Sequence, residues 1–162
     1  MSVCRMTYTA IGGPEISLSD NELRSELSKA LNALNDRHRV VAVPPDMSRL
    51  HSRAGRLTKM VYDHYGERLR AVLPAIGTHF PMTPEELDEM YAGVPHSLFR
   101  VHDWQQDLAT LGRVPGEFVK KVSEGRLDYE VPAQLNASLI ADASAGAETD
   151  AETGAPNYDL IL

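Results

Sequence analysis

The feature that most constrains this chain is an unbroken β-branched run that stops at two consecutive prolines. Val40-Val41-Ala42-Val43 has no polar alternation, which is typical of a parallel strand buried on both faces. Pro44-Pro45 ends the run, because proline has no N–H to give to a strand ladder. Asp46 follows directly. The run therefore predicts a buried parallel strand with a carboxylate just past its end.

Helical patterns alternate with strand patterns around this run. Ser19-Asp20-Asn21-Glu22 and Thr83-Pro84-Glu85-Glu86 have the spacing of capping boxes, and apolar residues at helical spacing follow each of them. The predicted helices cover approximately residues 20–35, 49–66, 84–91 and 117–123. Predicted strands cover 40–43, 71–76, 98–101, 107–114 and 126–131, and a small β-ribbon precedes residue 19.

The alternation of strands and helices is typical of βαβ units. We expect an α/β fold with a three-layer, Rossmann-like and mostly parallel sheet, helices on both faces, and a sheet truncated relative to a full domain. Residues 1–136 are its N-terminal part. Residues 137–157, which are mostly Ala, Ser, Gly, Thr, Asp and Glu, predict a flexible acidic linker. Residues 158–162 resemble the start of a further core strand.

Composition argues against several classes of partner. The 162 residues carry a formal charge of −7, which disfavours a nucleic-acid surface or a polybasic membrane patch. A single cysteine, Cys4, excludes an internal disulfide and fits a reducing compartment. The chain has neither a signal-peptide pattern nor an apolar run near the roughly 18 residues of a membrane helix. We therefore expect a cytoplasmic protein.

Polar residues follow three predicted strands. Asp46, Ser48 and Arg49 come after the first, Thr78 and His79 after the second, and His102 and Asp103 after the third. Because parallel strands end at one edge of a sheet, these clusters predict a ligand site there. Arginine binds carboxylates with two parallel hydrogen bonds, and histidine takes up a proton near neutral pH. The set suits a small hydroxy acid, with Asp46 holding Arg49 or a substrate hydroxyl.

Structural roles compete with this interpretation. Asp46 has the position of a helix cap, His79 that of a loop residue bonded to backbone, and His102 that of a structural histidine. The six histidines show no zinc-binding spacing, so no metal ligands are predicted. No glycine-rich nucleotide motif follows a strand.

Three segments carry a resemblance to a known family. Pro44 to Gly55 is similar to an Asp-x-Thr-Arg segment, with Ser48 where threonine is usual. Gly77 to Glu86 is similar to a Gly-x-His-x-x-Met-Thr-x-Glu-Glu segment, and Val101-His102-Asp103-Trp104 is similar to a strand end that carries His-Asp. The family that these segments resemble is that of the nickel-pincer lactate racemases and their 2-hydroxyacid racemase and epimerase relatives.

The resemblance implies a redox racemisation. A nickel-pincer nucleotide takes a hydride from the substrate Cα, a histidine takes the hydroxyl proton, and the hydride returns to the other face. His79 matches the first of the family's two acid–base histidines. Arg49 matches the arginine on the substrate side, and Asp46 matches its neighbouring aspartate.

The resemblance also implies what this chain lacks. The family's second histidine, the lysine that anchors the cofactor and further nickel ligands have no match here. We therefore expect no cofactor and no racemase activity on this chain alone. A different class of function is also open, that of a non-catalytic binding module or half-domain that pairs with a partner chain, supplied by the missing C-terminal part or by self-association.

Overall fold

The structure, a computed structural model, describes residues 8–140 and 158–162. A parallel three-stranded sheet flanked by helices accompanies a two-stranded antiparallel sheet, which confirms the predicted α/β class. The strands are β1 (Val40–Ala42), β2 (Leu69–Val72), β3 (Leu108–Val114), β4 (Val131–Asn136) and β5 (Leu160–Ile161). The α-helices are α1 (Asp20–Asn32), α2 (Ala54–Tyr65), α3 (Pro84–Met90) and α4 (Gly116–Val122). Short 3-10 helices cover Met47–Ser52, Gly66–Arg68, His96–Leu98 and Ala137–Leu139.

The strand predicted from the β-branched run is the centre of the parallel sheet. The strand order is β2-β1-β5, and both neighbours run parallel to β1. The ladders extend past the strand ends, where Leu73 N donates to Ala42 O and Val43 N donates to Leu162 O, each at 2.8 Å. All three β1 residues are buried, because the chain covers both faces of this strand.

The two faces of the sheet are covered by different parts of the chain. On one face, β1 and β2 contribute Val40, Ala42, Leu69 and Val72 to a cluster with helical side chains that include Leu31, Val61 and Tyr91. On the other face, Val41, Ala71 and Leu73 form a smaller cluster, against which Val43, Leu139 and Tyr158 pack. The larger cluster therefore holds α1, α2 and α3 against the sheet, and it fixes the position of the loops between them.

Both predicted capping boxes are present. The Ser19 side chain accepts from the Glu22 N–H, and the Glu22 carboxylate accepts from the Ser19 N–H. Thr83 and Glu86 make the same exchange at the start of α3. Each box satisfies N–H groups that the first turn leaves without helical partners, so both helices begin where the sequence predicts.

The helix predicted from residue 49 to 66 is divided in two. A 3-10 segment, Met47–Ser52, begins directly after Asp46, whose side chain accepts from the Ser48 N–H. Arg53 then adopts a left-handed conformation with φ of 63°, and α2 begins at Ala54. The periodicity of apolar residues could not show this break, because it lies in the backbone conformations of Arg49 and Arg53.

The strands after β2 differ most from expectation. The strand predicted at 98–101 is reduced to a single bridge between Val72 and Phe99, since the 3-10 turn His96–Leu98 occupies its start. The strand predicted at 126–131 begins only at Val131, and it pairs antiparallel with β3. Residues 8–18 contain no strand, and residues 1–7 of the predicted β-ribbon lie outside the described residues.

The predicted linker begins with an ordered turn. Ala137 N donates to Asp107 O at 2.7 Å, and Ala137–Leu139 form a 3-10 helix whose Leu139 packs on the sheet. Residues 141–157 of that prediction lie outside the described residues. The strand predicted at the chain end is present as β5. In the part of the chain that the structure describes, no helix combines the length and apolarity that crossing a membrane requires.

Replacing Gly55 by alanine tests the packing of α2 against α3. An added Cβ would lie 1.7 Å from the Met90 carbonyl oxygen, so the two helices must separate. We expect Gly55→Ala to lower the free energy of unfolding by about 1–3 kcal/mol, despite the better helix propensity of alanine. Urea unfolding measures this. Gly112→Ala, where nothing lies within 4 Å of the new Cβ, is the control. Equal losses in the two variants would contradict the packing argument.

Candidate functional site

The loops after β1 and β2 are held side by side by a continuation of the parallel ladder. Ala75 N donates to Pro44 O at 2.7 Å, and Pro45 forms a parallel bridge with Ala75. Pro44 and Pro45 are acceptors only, so the pairing rests on N–H groups from the β2 side. As a result, Asp46 and His79 leave neighbouring strands at the same edge of the sheet.

The carboxylate of Asp46 is buried and fully engaged. Its residue is 7% exposed. Oδ1 accepts from the Ser48 N–H at 3.1 Å and from the Ser48 hydroxyl at 2.5 Å. Oδ2 lies 2.6 Å from Nδ1 of His79. Asp46 therefore caps the following 3-10 helix, the structural role considered from the sequence, and also holds the histidine.

The balance of burial and hydrogen bonding sets the charge of Asp46. Burial by itself raises the pKa of the Asp46 carboxyl, but the hydrogen bonds from Ser48 and His79 outweigh it, and the net pKa is lowered. The carboxyl is therefore ionised at neutral pH. An ionised carboxylate is acceptor-only, so the ring of His79 must present a proton at Nδ1.

His79 is anchored at one nitrogen and open at the other. Its N–H donates to Ile76 O at 2.9 Å across a turn in which Gly77 has a φ of 59°, a conformation that favours glycine. The side chain is 61% exposed. Nδ1–H points to Asp46, and Nε2 has no hydrogen-bond partner among residues 8–140 and 158–162. Nε2 is thus left as a proton acceptor for a ligand.

An open depression of about 550 Å³ brings the predicted residues together. Its lining comprises Pro45, Asp46, Ser48, Arg49, Ala75, Ile76, Gly77, Thr78 and His79. The guanidinium of Arg49 reaches only Ser48 O and Ser48 Oγ, each at 3.3 Å, and has no acidic partner within the described ranges. The guanidinium of Arg49 therefore lines the same depression as His79 and has no salt bridge among the described residues.

His102 and Asp103, predicted at the same edge, do not line this depression. Asn136, which is 8% exposed, places its amide nitrogen 2.9 Å from His102 Nδ1, while its oxygen accepts from the backbone and side chain of Ser138. Nδ1 of His102 is therefore an acceptor, and Asp103 caps the turn at Gln105 and Gln106. Both residues have structural contacts, which agrees with the alternative considered for His102.

Sequence reasoning missed the partner of His79. Asp46 was expected to hold Arg49 or a substrate hydroxyl, and the structure pairs it with His79. The available signal was the placement of an aspartate and a histidine after adjacent predicted parallel strands. The hydrogen bond from Tyr91 to Pro45 was also missed, because no local pattern links residues 46 positions apart.

The described residues bring together no cluster of metal-ligating side chains. Among residues 8–140 and 158–162, no three His, Cys, Asp or Glu side chains lie where they could share a metal ion. The two donors that meet, Asp46 and His79, are hydrogen-bonded to each other. No lysine lines the depression.

Comparison with known proteins gives one structural relative. No protein-family profile matches the chain, and no curated protein matches it. The fold is similar to a structural genomics crystal structure of a protein from Thermotoga maritima, with a TM-score of 0.66 and 29% sequence identity. The match covers 77% of this chain and 31% of that protein. The chain thus spans about a third of the length of the protein that it resembles.

Asp46→Asn tests the charge on the buried carboxyl. Because the pKa of Asp46 is lower in the folded state, ionisation stabilises the fold above the unfolded value of about 3.9, and this contribution is lost as pH falls through the folded pKa. We expect the free energy of unfolding of the wild type to exceed that of Asp46→Asn most above pH 5, with the difference shrinking toward pH 2. Chemical denaturation at each pH measures both.

Glu15→Gln, an exposed change in the segment before α1, is the matched control and should follow the wild type throughout. A constant difference between wild type and Asp46→Asn across the pH range would contradict the assignment. Asparagine keeps an oxygen that can accept from the Ser48 N–H, so loss of the cap does not account for the expected result.

Proposed function

We propose that this chain carries the acid–base part of a 2-hydroxyacid racemase or epimerase. The observation that carries the proposal is His79, held at Nδ1 by Asp46 at 2.6 Å and open at Nε2, in one depression with the unpaired Arg49. The resemblance of the Asp46 and His79 segments to the nickel-pincer racemases supports the same reaction class. The substrate is a small 2-hydroxy acid such as lactate.

Arg49 binds the substrate carboxylate in this proposal. Its guanidinium is exposed, and its contacts with Ser48 O and Ser48 Oγ use one terminal nitrogen. The remaining N–H groups form a planar fork that matches a carboxylate. The Asp46 carboxylate in the same depression is buried and bonded to Ser48 and His79, so the exposed charge offered to a ligand is that of Arg49.

His79 takes the proton of the substrate hydroxyl. The proton passes from the hydroxyl oxygen to Nε2, while Nδ1–H remains bonded to Asp46, whose negative charge stabilises the imidazolium that forms. Return of the proton restores the hydroxyl. Thr78 lines the same depression and offers a second hydroxyl to orient the substrate oxygen.

The hydride of this reaction goes to the nickel-pincer nucleotide in the family that the chain resembles. The described residues do not hold that group, so we assign this chain only the binding of the acid and the proton transfer. Residues contributed from elsewhere complete the active enzyme in this proposal.

Substitution of Arg49 tests the binding step. We expect Arg49→Gln to weaken binding of lactate at least about tenfold, since it removes the only charge-assisted contact to the carboxylate. NMR titration of the chain with lactate measures the affinity. Arg70→Gln is the control, because Arg70 is exposed on β2 and does not line the depression. Equal affinities for the Arg49 and Arg70 variants would refute the proposed role.

In an active racemase that contains this segment, the same logic applies to His79. His79→Gln should reduce turnover by about 10²–10⁴, the usual contribution of a positioned acid–base group. His51→Gln, an exposed histidine outside the depression, should leave turnover unchanged.

The chain alone should contain no stoichiometric nickel after purification and should not racemise lactate. The physical reason is the lack of a three-ligand cluster in residues 8–140 and 158–162. Elemental analysis and chiral chromatography of the product measure the two quantities. Nickel bound at one ion per chain would overturn this part of the proposal.

A second candidate function is a binding module that pairs with another chain. Large apolar side chains lie exposed around the site and on the antiparallel sheet with α4, which favours contact with a partner. They include Phe80 at 92%, Leu111 at 61%, Phe118 at 56%, Val122 at 61% and Tyr129 at 58% exposure. The lactate titration and gel filtration together separate the two functions. A chain that forms assemblies in solution but does not bind lactate supports the binding module.

A further inference from the structure

Tyr91 connects the end of α3 to the loop that carries Asp46. The residue is 1% exposed, and its ring packs on Phe99 with centroids 5.1 Å apart. Its hydroxyl donates to the carbonyl oxygen of Pro45, a residue 46 positions earlier in the chain. The phenol therefore reaches from the helical layer to the residue directly before the buried carboxylate.

The loop at Pro45 is also held on the β2 side, where Pro45 forms a parallel bridge with Ala75. Pro44 and Pro45 have no N–H, so they contribute only acceptors to the ladder. On the β2 side, Ala75 N donates to Pro44 O, and the loop then turns into the 3-10 helix capped by Asp46. Among the described residues, the Tyr91 hydroxyl is the hydrogen-bond donor to the Pro45 carbonyl oxygen.

We infer that Tyr91 is a positioning residue for the Asp46–His79 pair, acting through the carbonyl of Pro45. Fixing Pro45 fixes the backbone of Asp46, and the Asp46 carboxylate in turn selects the Nδ1–H form of His79. This inference rests on the proposed function, in which the Asp46–His79 pair transfers the proton of the substrate hydroxyl. Tyr91 itself does not line the depression and touches no substrate.

The charge state of Tyr91 suits this role. Burial raises the pKa of the Tyr91 hydroxyl, and the negative charge of Asp46 raises that pKa further. The hydroxyl therefore keeps its proton and stays a donor at neutral pH. The restraint on Pro45 is constant while the site works.

The chain offers a matched control in the same core. Tyr65 is 4% exposed and belongs to the same apolar cluster as Tyr91. Its hydroxyl is buried without a hydrogen-bond partner among the described residues. Tyr65→Phe and Tyr91→Phe thus remove the same atom from the same cluster, and only the second removes a bond to the site loop.

The test measures the tautomer of His79 by ¹⁵N NMR and, separately, the affinity for lactate. We expect Tyr91→Phe to shift His79 from the Nδ1–H toward the Nε2–H form and to weaken lactate binding by about three- to tenfold, the size of one net hydrogen bond. Tyr65→Phe should leave both quantities at their wild-type values. A folded Tyr91→Phe variant with the wild-type tautomer ratio would overturn the inference.

The two readouts keep this inference separate from the proposed function. The tautomer ratio needs no ligand, so it tests the action of Tyr91 even if Arg49→Gln shows that lactate is not bound. If Tyr91→Phe does not fold, the unaltered protein gives a second test. The Tyr91 hydroxyl proton should then exchange slowly with water and show through-space contacts with Pro45, and a rapidly exchanging hydroxyl would overturn the inference.

Discussion

The parallel pairing of β1 with β2, and its continuation past two prolines, is the interaction on which the site depends. Proline ends most ladders, yet here Ala75 supplies the N–H and Pro44 only the carbonyl. The parallel bridge between Pro45 and Ala75 keeps the two chains paired beyond the end of β1. Without it, Asp46 and His79 would leave the sheet on loops with independent positions, and a hydrogen bond of 2.6 Å between them would not be maintained.

The residues of the site differ in burial and in the role that each can have. Asp46 is buried and accepts hydrogen bonds from Ser48 and His79. Its negative charge is therefore held by the protein and is not exposed to a ligand. Arg49 and His79 are exposed, and each keeps polar groups unused by the protein. The buried group thus determines orientation, and the exposed groups are available to bind and exchange a proton. Tyr91, which is buried in the core, contacts the same loop through its hydrogen bond to Pro45.

Sequence patterns were most informative where a local rule decides the structure. The capping boxes at Ser19 and Thr83 and the central strand were found, because each depends on neighbouring residues. The strand predicted at 98–101 was lost to a 3-10 turn, and the helix predicted from 49 was broken at Arg53. Both outcomes depend on packing and backbone dihedrals that residue type alone does not encode.

The sequence by itself determined the capped starts of α1 and α3, the strand β1, the acidic character of the chain, and which polar residues follow each predicted strand. Tertiary structure decided which of those residues meet. It brought Asp46, Arg49 and His79 into one depression and left His102 bonded to Asn136. The physical reason is that a hydrogen bond between side chains 33 positions apart depends on strand register and burial, which arise only when the sheet and its helices pack together.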